Sequence, residues 1–372
     1  MNFALSREQE KFRGEVAEFL AGWHGLGGYF HQDREWERVR AFFAALGERG
    51  WLSLGWPRQA GGLGRGPREE LLLWDEIAYR RLARPPLSTG IVARSILRAG
   101  TPEQQARWLP PIRRGEIHFS LGYSEPEAGS DLASVRTRAE RRGDVYVVTG
   151  EKCWTSYAQH SDYLWLLCRT GTQESRGAGT TLLIVDLRAP GVEVTPLPTL
   201  DGEALNSVSF AGARVPADHR VGPAGGAWTL MADSLADERH VQFPPRRLRR
   251  DLEDVAAWLA ARGLDRAPAA QRRLAELAVR VMEVELLALR VVEAMEKGRG
   301  SAALAAANKV AHTECAQRIA EAALELGGPE ALAAGPMEFL WRQSLWETIG
   351  GGTSEVMRGV VARHGLGLGG AR

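Results

Sequence analysis

Three cysteines in 372 residues leave little scope for covalent cross-links. Cys153, Cys168 and Cys315 are odd in number and lack metal-ligand spacing, which excludes a disulfide framework and suits a reducing compartment. Lysine is nearly as scarce: Lys11, Lys152, Lys297 and Lys309 are the whole complement, and arginine supplies the rest of the 47 basic residues. These almost cancel 46 acidic ones, so no broad field of one sign points to nucleic acid or an anionic membrane. No apolar run approaches the roughly 18 residues of a membrane span. The opening MNFALSREQEKFRGEV meets charge too early to supply a signal peptide's apolar region. His118, His160, His240 and His312 are scattered and suggest no metal site. These absences leave a soluble, cytoplasmic protein with no nucleic-acid or membrane partner. With 44% hydrophobic residues it can bury a core divided among two or three domains.

The hydrophobic period changes twice along the chain. Residues 1–116 read as helices: REQEKFRGEVAEFL puts Phe12, Val16, Phe19 and Leu20 at helical spacing, and EELLLWDEIAYRRL repeats the pattern. TPEQQARWLPPI starts on a Thr cap with Pro at the first helical position, then stops at a Pro pair. LGWPRQAGGLGRG, between the first two, is a loop of defined shape. Residues 117–222 carry DVYVVTG, DYLWLLCRT, TTLLIVDL, GVEVTPL and NSVSFAGARV, short β-branched runs expected of a compact antiparallel β domain. Residues 223–372 return to helix, with AWTLMADSLADERHVQF ending at Pro244–Pro245. Three further segments follow, at QRRLAELAVRVMEVELLALRVVEAMEKG, SAALAAANKVAHTECAQRIAEAALELGG and EFLWRQSLWETIG. The predicted class is α+β: an N-terminal helical domain, a central antiparallel β barrel and a C-terminal four-helix bundle.

Three stretches could hold chemistry, and each has two readings. LGYSEPEAGSDLAS, Leu121 to Ser134, has Pro126 to set a turn, Gly129 to admit a ligand, and the hydroxyls of Ser124 and Ser130. It is equally a well-built loop in which Asp131 caps a helical turn. GEKCWTSYA places Trp154 just past a Gly150 turn, beside Thr155 and Ser156. That indole either covers a planar heteroaromatic ring or belongs to a core or interface. TIGGGTSEVMR, Thr348 to Arg358, offers bare backbone and then Thr353 and Ser354 as caps with Glu355 in the first helical turn. A plain turn between helices explains it as well.

YSEPEAGSD, GEKCWTSYA and GGTSEVMRGVVARHGLGL, in that order across helical, β and helical zones, together resemble the acyl-CoA dehydrogenase family of flavoproteins. GWPRQAGGLG near residue 60 and LELGGPEAL near residue 328 extend the resemblance over essentially the whole chain. It implies FAD held between the β domain and the C-terminal helices. The matching flavin positions are Leu121, Tyr123, Ser124, Gly129 and Ser130, then Trp154 and Ser156, then Gly328, Thr353 and Glu355. Ser130, Gly351, Gly352 and Arg363 match substrate-side positions, Arg363 at a CoA phosphate. The implied reaction is α,β-desaturation of an acyl-CoA to the 2-enoyl-CoA: a carboxylate removes the α-proton while the β-hydrogen leaves as hydride to the flavin. The resemblance also implies a homo-oligomer, dimer or tetramer, and an electron-transferring flavoprotein as acceptor.

Many family members supply the base from a Glu directly before the last Gly-Thr-Ser, but here that position is Gly351. A branch that includes isovaleryl- and long-chain-type enzymes carries the base on the first helix of the C-terminal domain, as a Glu preceding an Arg. Glu238–Arg239 in SLADERHVQF matches that pair, so Glu238 is the expected base and Arg239 an orienting neighbour. Two family features are missing. An Arg-x-x-Phe-Gly element is absent after the base helix, where Arg272 or Arg273 could substitute, and Leu324 stands where relatives have Gln. These departures keep open a non-catalytic or half-site subunit of a hetero-oligomer. The same fold also serves acyl-CoA oxidases and flavin monooxygenases.

Overall fold

This computed structural model describes residues 4–26, 32–203 and 205–369, and the side chains of residues 32 and 232–239 lie outside that description. The residues gather into two compact units: residues 31–65 with 85–238, and residues 1–30 with 66–84 and 239–372. The helices of the first 116 residues are therefore shared between them.

The first unit is built on one eight-stranded sheet, β1 Phe119–Gly122, β2 Arg138–Arg142, β3 Val145–Ser156, β4 Tyr163–Arg169, β5 Thr180–Asp186, β6 Val192–Leu197, β7 Leu205–Pro216 and β8 Arg220–Val221. The order is β6-β7-β3-β2-β4-β5-β8, with β1 alongside β4. Most pairs are antiparallel, as the alternating runs predict, but β1 lies parallel to β4 and β2 meets β4 in parallel at a single pair. Strand β4 explains why DYLWLLCRT is continuously apolar: Trp165 and Leu167 enter one core, and Leu164, Leu166 and Cys168 the other. The first core also takes Trp56 and Ile91, together with Trp108, Leu109 and Ile112 from α5 (Pro102–Arg113). Helices α2 (Trp36–Glu48) and α4 (Ala93–Ala99) complete this part.

Two local expectations change here. Gly150 forms no turn; it lies inside β3 opposite Phe210, where a Cβ would come 2.7 Å from Thr137 Cα. Helix α5 runs on through Pro110–Pro111 to Arg113 instead of stopping. The prolines fall in its last turn, where their carbonyls still accept from the N–H groups of Arg114 (3.2 Å) and Glu116 (3.0 Å). Its start is as read, with Thr101 capping and Pro102 at the first position.

The second unit is helical: α1 (Arg7–Leu20), α3 (Pro67–Tyr79), the end of α6 (Ala227–Gln242), α7 (Arg246–Ala260), α8 (Pro268–Glu296), α9 (Ala302–Leu332), α10 (Pro336–Glu347) and α11 (Ser354–Gly365). Helices α7 to α10 share one core of Leu248, Val255, Leu277, Val281, Ile319 and Leu340, into which the alanines of α9 admit close approach. Helix α6 ends before Pro244–Pro245, as expected. The interval after those prolines forms α7, with Leu248, Val255 and Leu259 buried at helical spacing. No helix among the described residues is long and apolar enough to cross a membrane.

Buried charge links α3 to α7. The Asp75 carboxylate accepts the backbone N–H of Arg246 at 3.0 Å, at the first turn of α7. Burial pushes this carboxyl up from 3.8 to about 7, and the pull of Arg246 only partly opposes it. A folded-state value above the unfolded one makes the contribution to stability complete below about pH 4 and lost as pH rises through about 7. Thermal melts of the wild type against Asp75→Asn should therefore diverge in favour of the variant between pH 5 and pH 8. Parallel profiles would refute the assignment.

Candidate active site

In the sheet unit the two motif segments lie against each other. Strand β1 ends at Gly122, leaving Leu121, Tyr123 and Ser124 half-buried. Glu125 and Ala128 then close a tight turn with reciprocal backbone bonds of 3.1 Å. Lys152 of β3 donates to the Tyr123 carbonyl at 3.0 Å and to Glu125 Oε1 at 2.7 Å. The Cys153 N–H donates to the Ser124 carbonyl at 2.9 Å. Beyond Lys152 the ladder with β7 slips, and Cys153 and Trp154 together oppose Ser207. This bulge gives Trp154 a left-handed backbone, φ 58°, and leaves its indole 61% exposed. A large residue in that conformation is strained, and such strain concentrates at binding sites.

The flanks are polar and partly unsatisfied. Asn206 Nδ2 donates to the Thr155 carbonyl at 3.0 Å, and Ser120 Oγ to the Ser156 carbonyl at 2.8 Å. The buried Thr155 hydroxyl has no partner among the described residues. Gly129 and Ser130 are exposed, and a Cβ on Gly129 would meet nothing within 4 Å. Among the described residues, neither packing nor backbone calls for a glycine there. Asp131 stands at the head of the helical turn 132–134 without capping it, because its carboxylate pairs with Arg176 instead. Buried Arg169 ties the two loops, donating to the carbonyls of Ala133 and Val135 and to those of Thr172 and Arg176, each within 2.9 Å.

In the helical unit the glycine stretch joins α10 to α11. Gly351 and Gly352 are left-handed, φ 68° and 95°, so the backbone itself requires them. Among the described residues, a Cβ on Gly351 would find only Phe243 Cζ, at 3.9 Å. Thr353 caps α11 by accepting the Val356 N–H at 3.2 Å. Glu355 in the first turn is held below the usual carboxylate range by its own backbone N–H and by the Thr353 hydroxyl. Thr348, ahead of the glycines, is fixed through its carbonyl by buried Lys309 Nζ at 3.1 Å and by the Ser354 N–H at 2.9 Å.

The approach to this stretch is equally anchored. Arg247, buried, bridges Asp251 at 3.0 Å and Glu347 at 2.6 Å, joining α7 to the end of α10. His312 donates from Nε2 to the Pro244 carbonyl at 3.3 Å, and burial pulls its pKa down to about 3, so it stays neutral. His240 on α6 is fully buried with Nε2 3.1 Å from Glu70 of α3.

The expected residues therefore fall into two groups. Leu121, Tyr123, Ser124, Gly129, Ser130, Trp154 and Ser156 belong to the sheet unit, and Gly328, Gly351, Gly352, Thr353 and Glu355 to the helical one. Gly328 breaks α9 with φ 59°. Arg363 is exposed and donates to Gly359 of its own helix. Arg272 is exposed, and Arg273 approaches Glu276 and Glu325 at 3.8 and 3.9 Å. The backbone of Glu238 and Arg239 lies in α6, but their side chains lie outside the described residues. Sequence reading missed the anchors: Glu125 with Lys152, Arg169, Asn206, Arg247 and the Glu70–His240 pair. Only Lys152 carried a signal, as one of four lysines in the chain and placed in a strand-forming run. An exposed indole on a bulge, an unpartnered hydroxyl beside it and a glycine with no internal cause suit a planar heteroaromatic group with a polar rim.

Comparison with known proteins covers the whole chain. Residues 6–116 match the acyl-CoA dehydrogenase N-terminal domain, residues 120–212 the middle domain and residues 225–366 the C-terminal domain. Acyl-CoA dehydrogenase FadE26 of Mycobacterium tuberculosis is 34% identical over 99% of both chains. Among solved structures, the Tcur3481-Tcur3483 steroid ACAD superposes with a TM-score of 0.90 at 33% identity, over 100% of each chain. The ChsE4-ChsE5 complex from Mycobacterium tuberculosis does so with 0.88 at 34% identity, again over 100% of each.

The two glycine environments predict opposite outcomes. Gly351→Ala should cost about 1–2 kcal/mol of unfolding free energy through the left-handed backbone alone. Gly129→Ala should stay within about 0.5 kcal/mol in the cofactor-free protein. Denaturant melts decide this, and equal costs at both positions would contradict it.

Proposed function

The chain belongs to the acyl-CoA dehydrogenase family, and on that footing we propose that it is an FAD-dependent enzyme that oxidises an acyl-CoA thioester to the trans-2-enoyl-CoA. Electrons then pass to an electron-transferring flavoprotein. The support lies in three family motifs, at Leu121–Ser134, Gly150–Ala158 and Thr348–Arg358, combined with Gly351 where many members keep a base. That glycine's left-handed backbone would strain a Glu, which favours the alternative seat, Glu238 on α6.

By their match to family flavin positions, Leu121, Tyr123, Ser124, Gly129, Ser130, Trp154 and Ser156 would contact FAD, as would Gly328, Thr353 and Glu355. When bound, the flavin supplies the acceptor for the β-hydrogen and its electron pair. Glu238 takes the α-proton, becoming a carboxylic acid as the Cα–Cβ double bond forms. A proton beside a thioester carbonyl is weakly acidic, so the base works best desolvated, with its pKa raised toward the working pH. Arg239 orients it. His240, two residues along α6, lies 3.1 Å from Glu70 of α3. Gly351 would leave room for the acyl group, and Arg363 would contact a CoA phosphate.

A second reading has a specific basis: the neighbours Tcur3481-Tcur3483 and ChsE4-ChsE5 each pair two differently named chains, and the former is described as a steroid ACAD. This chain could thus work beside an unlike subunit on a bulky, polycyclic thioester. Anaerobic titration of the singly expressed protein with straight-chain, branched and steroid acyl-CoAs, watching flavin absorbance, tests both readings. A yellow, reducible homo-oligomer supports the first; a colourless chain that takes up FAD only with a partner supports the second. Glu238→Gln should keep FAD but slow flavin reduction by about 10³-fold. Normal bleaching in that variant would remove Glu238 from its role.

A further inference from the structure

Lys152 and Glu125 form an ion pair enclosed within the sheet unit, with side chains only 0% and 8% exposed. The Glu125 carboxylate also accepts the backbone N–H groups of Arg136, at 2.6 Å, and Thr137, at 2.8 Å. Lys152 reaches the Tyr123 carbonyl besides, and the next N–H, that of Cys153, takes the Ser124 carbonyl. Three consecutive residues of one motif are thus held by two consecutive residues of the other. The residue after those two is Trp154.

Such a pair is an inefficient stabiliser. Removing two charges from water costs several kcal/mol each, and well-packed apolar replacements are often as stable. Its geometry has another consequence. The bulge that turns Trp154 outward is strained and persists only where its surroundings over-determine it. Without the lock, β3 could regain a regular ladder with β7, and a one-residue shift of register would move the indole to the other face of the sheet.

We propose that the Lys152–Glu125 pair is the positioning element of the flavin-facing surface, holding Tyr123 and Ser124 in register with an outward Trp154. The proposal rests on the FAD reading above. Lys152 touches neither substrate nor cofactor in this account and acts through Trp154 and the Tyr123–Ser124 backbone. The counter-charge keeps the ammonium in place: burial pulls Lys152 below its usual value and Glu125 draws it back.

Two variants separate positioning from mere stability. Lys152→Met strands a buried carboxylate and should lower the melting temperature, whereas Lys152→Met with Glu125→Gln removes both charges and should recover most of it. In the double variant we expect FAD, titrated into the full-length apoprotein, to bind at least about tenfold more weakly, about 1.4 kcal/mol. The visible circular dichroism of bound flavin should change as well. Near-wild-type melting with unchanged FAD affinity and unchanged dichroism would overturn the proposal. If the double variant does not fold, Glu125→Gln alone, which preserves both side-chain volumes, carries the same test: weakened FAD binding supports positioning and unchanged binding refutes it. Wild-type protein that takes up no FAD would instead sink the flavoprotein reading.

Discussion

A buried cation must be met by oxygen atoms at fixed places, and the candidate residues of each unit depend on that requirement. In the sheet unit the cation is Lys152, whose partners are the Glu125 carboxylate and the Tyr123 carbonyl. In the helical unit Arg247 binds Asp251 and Glu347, and Lys309 holds the Thr348 carbonyl three residues before Gly351. The segments that would meet a ligand are loops and strand ends, which cannot supply their own rigidity. Charge buried behind them supplies it.

This arrangement also separates scarcity from unimportance. Two of the four lysines are fully buried, and each bonds a backbone carbonyl inside a motif. Arginine, the abundant cation, serves where a planar fork can bridge two acceptors, as Arg247 and Arg169 do. The compact ammonium serves where one cation must fit among strands and helices. Replacing either type by the other would alter the geometry even with charge conserved.

Much of the fold was legible from period and punctuation. The Thr101 and Thr353 caps and the end of α6 before Pro244–Pro245 follow from short-range chemistry. Three of the misreadings share one cause. Gly150 looked like a turn because its role, a close crossing with Thr137, involves a residue 13 positions away. Asp131 looked like a cap because Arg176, which claims its carboxylate, lies 45 positions on. Helix α7 was overlooked because its arginine-rich start masked an apolar face that only neighbouring helices reveal.

By itself the sequence determined which stretches could carry chemistry. Glycine, proline and capping residues act within a few positions, and their spacing survives without a fold. Its resemblance to the family also marked Gly351 as lacking the usual Glu and Glu238 as the candidate base. Only the tertiary structure decided that Trp154 projects on a strained bulge, that Glu125 is an anchor rather than a surface acid, and that Asp75 titrates near neutrality. Those properties come from burial and from partners far along the chain. Desolvation and long-range pairing exist only once the chain has closed on itself.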